Sequence, residues 1–127
     1  MTQNVSDGLV LFAHGSLDRN WSKSIDELVS RVSGNLENVC VEVAYLKDSA
    51  PDIFNVVENF VSTGCGNITI VPMFLAAGAH AAKDFPEIAR SLRLKYPAVV
   101  FEWKDAIGQW EETLNFFTGI LTEKFSR

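Results

Sequence analysis

The chain has 127 residues, of which 47% are apolar and 21% are charged, and its formal net charge is −5. This size and apolar fraction suit one compact domain with a buried core and leave no room for a second domain of ordinary size. The acidic balance disfavours a general nucleic-acid binder, because such proteins need a basic surface to displace counterions from phosphates. No run of about 18 apolar residues predicts a membrane span, and the polar start of the chain lacks a secretory signal pattern. We therefore expect a cytoplasmic protein with neither nucleic-acid nor membrane partners.

Four strand patterns alternate with four helix patterns along the chain. Short apolar or β-branched runs predict strands at residues 9–13, 39–45, 67–71 and 98–103. Apolar residues at intervals of three and four predict helices at about 21–36, 51–64, 81–96 and 109–125. This alternation predicts an α/β fold with an open parallel four-stranded sheet and helices on both faces. Right-handed crossovers favour the flavodoxin-like strand order 2-1-3-4.

Three prolines and the last helix give more local predictions. Pro51 suits the first turn of the second helix. Pro72 lacks an amide donor, so strand pairing should stop there. Pro86 is tolerated if its helix starts near Asp84, which would be a good N-cap. In the closing helix we expect an inward face formed by Trp110, Leu114, Phe117, Ile120 and Leu121.

The only two histidines each follow a predicted strand. His14 comes directly after the first strand, and His80 follows the third strand through a loop of small residues. Ligand sites in open parallel sheets lie beyond the carboxyl ends of neighbouring strands, and the order 2-1-3-4 makes strands one and three neighbours. Gly15 and Gly78, beside the two histidines, let a ligand approach the backbone. Because two neutral imidazoles can bind Co²⁺, Ni²⁺, Fe²⁺ or Zn²⁺ and leave coordination positions open, we interpret the pair as a candidate metal site.

Other kinds of site have less support in the sequence. Ser16 follows His-Gly, but the Gly-x-Ser-x-Gly pattern of a hydrolase nucleophile is absent. Neither GxGxxG nor GxxxxGK[ST] is present, which disfavours the common phosphate-binding loops. Cys40 and Cys65 form no CxxC pair, so we expect two buried or half-buried core thiols. A flavin-binding electron carrier stays open on fold grounds alone.

Three motifs, taken together and in this order, resemble one known family. They are His14-Gly-Ser-x-Asp18 after the first strand, Ala44-Tyr-Leu46 with Ala50-Pro-Asp-Ile53 after the second, and Val71-Pro-Met-Phe-Leu-x-x-Gly-x-His80-x-x-x-Asp84-x-Pro86 after the third. The chain resembles the short, single-domain class II chelatases, which are sirohydrochlorin cobaltochelatases with ferro- and nickelochelatase relatives. The resemblance covers about residues 8–123 of an expected single domain over 1–127, and its third motif is the most specific.

This resemblance implies a chelatase-like fold and a lyase that inserts a divalent metal into sirohydrochlorin during cobalamin or related tetrapyrrole biosynthesis. Co²⁺ is the first expectation, with Fe²⁺ and Ni²⁺ as alternatives, and no cofactor beyond this metal substrate is expected. Short members of the family pair as homodimers. The metal-site histidines of the family carry over onto His14 and His80, which we expect to be the catalytic residues, with His14 the more direct ligand and base.

The substrate that the resemblance implies carries many carboxylates, which an acidic protein must bind through local donors. We expect these donors at Ser16, Lys47, Gly78 and Lys83. Two positions depart from the family pattern: Leu17 stands where an arginine is common, and Lys47 stands where an acidic residue is common, with Asp48 next along. These departures keep a second hypothesis open, a non-catalytic chelatase-like protein that binds a metal or a tetrapyrrole without turnover.

Overall fold

A computed structural model describes residues 7–76 and 78–126, except the side chains of residues 19, 21 and 79–82. Four parallel strands form one sheet in the order β2-β1-β3-β4, which confirms the predicted fold and strand order. The strands are β1 (Asp7–Ala13), β2 (Val39–Tyr45), β3 (Asn67–Pro72) and β4 (Val100–Trp103). Because β1 and β3 are paired neighbours, the loops that follow them leave the same edge of the sheet.

In the described residues, four α-helices connect or follow these strands. They are α1 (Lys23–Gly34), α2 (Ile53–Ser62), α3 (Ala79–Lys95) and α4 (Glu111–Phe125). Short 3-10 helices precede the first and the last of them, at Arg19–Ser22 and Ile107–Gln109. No helix in the described part of the chain has the length and apolar character needed to span a membrane.

The main hydrophobic core lies between the sheet and the two helices α2 and α3. It is formed by Val10, Phe12, Ala44, Ile53, Val56, Val57, Phe60, Cys65, Ile68, Ile70, Phe85 and Leu92. A smaller cluster on the other face packs Ile25 and Val29 of α1 against Val43 and Tyr45 of β2. Cys65 is buried and Cys40 is half-buried, as expected of core thiols. The helix predicted from apolar spacing at about 51–64 is confirmed, and α2 buries Ile53, Val56, Val57 and Phe60, whereas α1 has no fully buried residue.

The predictions made for the prolines have different outcomes. Pro72 pairs with Phe12 as the last residue of β3, as predicted. Residues two apart in a strand face the same neighbour, so the backbone of Pro72 faces β4, as that of Ile70 does. Because Ile70 already pairs with Trp103, the last residue of β4, the missing amide of Pro72 costs the sheet no hydrogen bond. The helix α2 starts later than expected, at Ile53, where the side chain of Asp52 accepts a hydrogen bond from the Asn55 amide at 2.8 Å. Pro51 lies before the helix and follows a cis peptide bond.

The prediction that Asp84 caps α3 is wrong. The helix begins at Ala79 after Gly78, so Asp84 and Pro86 both lie inside it. The alanine-rich start of the helix has high helical propensity, which favours helix well before the proline. The proline costs the helix one internal hydrogen bond.

The prediction that the closing helix has an inward apolar face is also wrong. Within α4 no residue is buried, and Leu114, Phe117, Ile120 and Leu121 are 48%, 40%, 39% and 58% exposed. Trp110, just before the helix, is half-buried. The periodicity of these residues was a sound indication of a helix, but it does not say which surface covers the apolar stripe.

Candidate metal centre

His14 is the first residue after β1 and its side chain is exposed at the carboxyl edge of the sheet. The Nδ1 atom of His14 lies 3.1 Å from the carbonyl oxygen of Gly15. A carbonyl oxygen only accepts hydrogen bonds, so Nδ1 carries the proton and donates it. The neutral ring then has its lone pair on Nε2, which is the form that binds a metal or accepts a proton.

Backbone contacts between the loops after β1 and β2 hold His14 in place. The amide of Leu46 donates to the carbonyl of Ala13 at 2.8 Å, and the amide of Lys47 donates to the carbonyl of His14 at 3.0 Å. Gly15 adopts a φ of +97°, and a Cβ there would lie 1.7 Å from the Lys47 carbonyl oxygen. The Gly of the His-Gly-Ser motif is therefore needed both for its backbone conformation and for this close approach.

Two serines join the same pair of loops. The Ser16 amide donates to the Ser49 hydroxyl at 3.1 Å, and that hydroxyl donates to the Ser16 carbonyl at 2.7 Å. The Ser16 hydroxyl accepts from the Asp18 amide at 3.1 Å. Sequence reasoning selected Ser16 but missed Ser49. The spacing of the sequence contains no signal for a contact between residues 33 positions apart.

A cavity of about 580 Å³ opens beside these loops, between them and α1. Its lining includes four carboxylates, from Asp18, Asp26, Glu42 and Asp48. A surface lined by one sign of charge raises the local concentration of counterions. This side of the site therefore favours cations over the carboxylates of an anionic substrate.

Tyr45, at the end of β2, also lines this cavity and is only 4% exposed. Burial raises the pKa of its phenol, and the negative charges of Asp26 and Glu42 add to that effect, while a hydrogen bond with Ser22 opposes it. The folded protein therefore binds the phenolic proton more tightly than the unfolded chain does.

This shift predicts a pH dependence of stability. The contribution of Tyr45 is fully present below pH ~10, the unfolded pKa of tyrosine, and is lost as the pH rises through the higher folded pKa. We expect the free energy of unfolding, measured by urea denaturation, to fall less steeply above pH ~10 in Tyr45→Phe than in the wild type. Tyr96→Phe, which keeps the Tyr45 phenol, should decline like the wild type. Parallel declines in wild type and Tyr45→Phe would contradict this prediction.

The second half of the predicted site lies after β3, at the start of α3. His80 is the second residue of α3, but its side chain lies outside the described part of the structure. The distance between the two imidazoles is therefore a prediction that rests on the pairing of β1 with β3. Gly78 precedes α3 in an extended conformation and is exposed, and the side chain of Lys83 is exposed on the same helix.

The two lysines selected from the sequence lie on different elements of the fold. Lys47 is exposed in the loop after β2, whereas Lys83 is exposed within the helix α3, which follows β3. Leu17 and Leu75, in the loops after β1 and β3, are 84% and 71% exposed. Among the described side chains, no group of three or more histidine, cysteine, aspartate or glutamate residues is arranged to hold a metal ion.

Comparison with known proteins agrees with this fold. The CbiX family model matches residues 8–123. A sirohydrochlorin cobaltochelatase of Methanosarcina barkeri is 30% identical over 81 residues, which cover 64% of this chain and 62% of that protein. A sirohydrochlorin ferrochelatase of Priestia megaterium is 26% identical over 117 residues, which cover 92% of this chain and 44% of that protein. The chain thus spans less than two thirds of the length of either relative.

A solved structure gives the same result in three dimensions. A protein of Marinobacter aquaeolei VT8, described as a CbiX protein of cobalamin (vitamin B12) biosynthesis, superposes with a TM-score of 0.82 at 27% sequence identity. The superposition covers 95% of this chain and 98% of that one. Since the family model matches nearly the whole chain and the fold agrees along its length, this protein belongs to the CbiX family.

Proposed function

We propose that this protein inserts a divalent metal ion into sirohydrochlorin. Its relatives include proteins named as sirohydrochlorin cobaltochelatase and sirohydrochlorin ferrochelatase. The observation that carries the proposal is His14, an exposed imidazole at the carboxyl edge of the sheet whose Nδ1 proton is committed to the Gly15 carbonyl. Its free Nε2 atom has the chemistry that metal transfer requires.

Metal insertion needs three things from the protein. Water must leave the ion, two pyrrole N–H protons must be removed, and the ion must be presented to one face of the macrocycle. His14 Nε2 replaces a water ligand and leaves other positions of the ion open. An imidazole also accepts protons near neutral pH, and in this proposal His80 supplies the second nitrogen from the neighbouring strand end.

The charges around the site support different routes for the two substrates. The carboxylates of Asp18, Asp26, Glu42 and Asp48 line the cavity beside α1 and attract a divalent cation toward the His14 loop. The anionic macrocycle would then bind on the other side, toward α3, where Lys83 and the backbone at Gly78 offer donors. In this proposal Ser16 and Lys47 would contact its carboxylates from the loops after β1 and β2.

For the metal, we propose Co²⁺ and a place in cobalamin or related tetrapyrrole biosynthesis. The 30% identical relative is named a cobaltochelatase, whereas the 26% identical relative is named a ferrochelatase. Two imidazoles serve Co²⁺, Fe²⁺ and Ni²⁺ alike, so the distinction needs a direct competition between metals. We also propose that the working unit is a homodimer, because one chain matches only 44% of the Priestia ferrochelatase.

A second candidate function is a carrier that binds a metal or a tetrapyrrole without turnover. Leu17 favours it, because this side chain is 84% exposed where a cationic partner for a substrate carboxylate is common in the family. Lys47 favours it too, because it replaces a carboxylate that would assist metal binding. Both positions lie in the loops that hold His14.

A metal-insertion assay distinguishes the two functions. Protein is mixed with sirohydrochlorin and Co²⁺, Fe²⁺ or Ni²⁺ under anaerobic conditions, and the absorbance shift of the macrocycle is followed against a control that contains metal but no protein. The enzyme hypothesis expects many turnovers per protein and a rate above this control, greatest for Co²⁺. A spectral change that stops at one macrocycle per chain, without acceleration, would establish the carrier instead.

A further inference from the structure

The two cysteines of the chain lie close together at the amino end of the sheet. Cys40 is the second residue of β2 and pairs with Gly8, the second residue of β1. Cys65 lies in the turn between α2 and β3, two residues before β3 begins. His14 follows the last residue of β1, so the two thiols are at the opposite end of the strands from the metal centre.

A glycine in β1 brings the end of α2 toward Cys40. A Cβ at Gly8 would lie 2.4 Å from Cδ2 of Phe60, so the phenyl ring packs directly over the backbone of β1. Phe60 is in the last turn of α2, and its carbonyl accepts hydrogen bonds from the amides of Thr63 at 3.2 Å and Cys65 at 3.0 Å. The turn that carries Cys65 is thereby held against the same core that Cys40 contacts.

A single hydroxyl lies between the two thiols. Oγ1 of Thr63 is 3.8 Å from Sγ of Cys40 and 4.0 Å from Sγ of Cys65. The same hydroxyl donates its proton to the Phe60 carbonyl at 2.9 Å, which fixes its position. Since a hydroxyl has one proton, it accepts from the two thiols, and both sulfurs are protonated in this arrangement. The sum of the two distances is the upper limit of the separation between the sulfurs.

The two thiols differ in their access to solvent. Cys65 is 3% exposed, whereas Cys40 is half-buried. Burial raises the pKa of the Cys65 thiol, and the neighbouring Cys40 adds to that effect. The thiolate is the nucleophile in thiol–disulfide exchange, and a dissolved oxidant must also reach it. We therefore expect Cys40 to react first and Cys65 second.

The backbone around Cys65 allows the remaining approach. Cys65 lies between two glycines: Gly64 has a φ of +100°, and a Cβ on Gly66 would meet no atom within 4 Å. A disulfide requires the two Cβ atoms to come within about 4.5 Å of each other. The turn can move toward Cys40 without disturbing the pairing of β3, because that pairing begins at Asn67.

From this arrangement we propose that Cys40 and Cys65 are a reversible disulfide site that small disulfides such as glutathione disulfide oxidise. The Cys40 thiolate attacks glutathione disulfide, which forms a mixed disulfide at Cys40 and releases one glutathione. The Cys65 thiolate then attacks the sulfur of Cys40 and releases the second glutathione. The two protein thiols lose two electrons and two protons, and one glutathione disulfide becomes two glutathione thiols. This site does not depend on the proposed chelatase function.

The disulfide would stabilise the fold. It closes a loop from residue 40 to residue 65 that contains the whole of α2. The same loop contains Ser49, whose hydroxyl holds Ser16 beside His14. A disulfide restricts the unfolded chain more than the folded one, and the effect grows with the length of the closed loop. We expect oxidation to raise the urea midpoint of unfolding by at least about 1 M.

The test counts free thiols in the folded protein. Wild type is equilibrated without urea in glutathione buffers that range from reduced to oxidised, free thiols are alkylated with iodoacetamide, and the chain mass is measured. Both thiols should disappear together in one transition, which gives a chain that is lighter by two hydrogens and in which the peptides of Cys40 and Cys65 are joined. Excess reduced glutathione should restore both thiols.

Cys40→Ser is the matched variant, because it removes the thiol that solvent reaches and keeps a small polar side chain. Its urea midpoint should be the same in reduced and oxidised buffers, and its far-ultraviolet circular dichroism should match that of the wild type. The thiol count of the wild type is decisive even if this variant does not fold. Glutathione attached to Cys40 while Cys65 stays free would overturn the proposal, as would a disulfide between two chains. Neither readout involves metal insertion, so a negative result leaves the metal-insertion assay to decide the chelatase function.

Discussion

Replacing His14 with alanine should reduce the rate of cobalt insertion into sirohydrochlorin at least about a hundredfold, the lower range for loss of an acid–base group. The substitution removes the Nε2 lone pair that would bind the ion and accept a pyrrole proton. The measurement is the initial rate of the macrocycle absorbance change at saturating metal. Co²⁺ titration by calorimetry should show a parallel loss of affinity, because a ligand has been removed.

A matched substitution separates loss of chemistry from loss of structure. Because His14 is exposed, the alanine variant should keep the stability of the wild type in urea denaturation. Ser62→Ala, an exposed site at the end of α2 on the opposite edge of the sheet, should leave both rate and affinity unchanged. Full cobalt insertion by His14→Ala would remove this residue from the mechanism and, with it, the observation that carries the proposed function.

Gly15→Ala should destabilise the fold and the site together. A methyl group at this position would overlap the Lys47 carbonyl oxygen, and the φ of +97° is strained for any residue with a Cβ. We expect the free energy of unfolding to fall by at least about 2 kcal/mol, because backbone strain and a forced loop shift both contribute. The shift should also break the hydrogen bond from the Lys47 amide to the His14 carbonyl and slow metal insertion.

Gly34→Ala is the control for this substitution. A Cβ at Gly34 meets no atom within 4 Å, so its effect on the free energy of unfolding should stay within about 1 kcal/mol. Urea denaturation of the two variants side by side provides the measurement. Equal stability of Gly15→Ala and Gly34→Ala would show that the loops after β1 and β2 do not approach each other as closely as described.

The sheet could be predicted because its signals are local. Each strand is a short apolar run between turn residues, and right-handed crossovers leave few orders for four parallel strands. The same reasoning placed His14 at the carboxyl edge and made the strand before the His80 loop its neighbour. Pro72 is the last residue of its strand as predicted, because a residue without an amide donor does not continue a strand that is paired on both sides.

Contacts between distant segments were beyond that reasoning. Ser49 and Ser16 are 33 residues apart, and their hydrogen bonds depend on how two loops meet after their strands have paired. The acidic cavity beside α1 likewise combines residues from β2, its loop and α1. Asp84 is not the cap of α3, because the alanines before it extend the helix toward its N-terminus. The position of Pro86 alone therefore does not determine where the helix begins.

The sequence by itself determined the order of elements, the parallel sheet and the position of His14, because these follow from periodicity, turn chemistry and chain handedness. Only the tertiary structure decided that Nδ1 of His14 donates to Gly15, that Gly15 approaches Lys47, and that the apolar face of α4 stays exposed. The physical reason is that periodicity states which residues share a face, whereas the partner of that face depends on the free energy of packing among surfaces far apart in the chain.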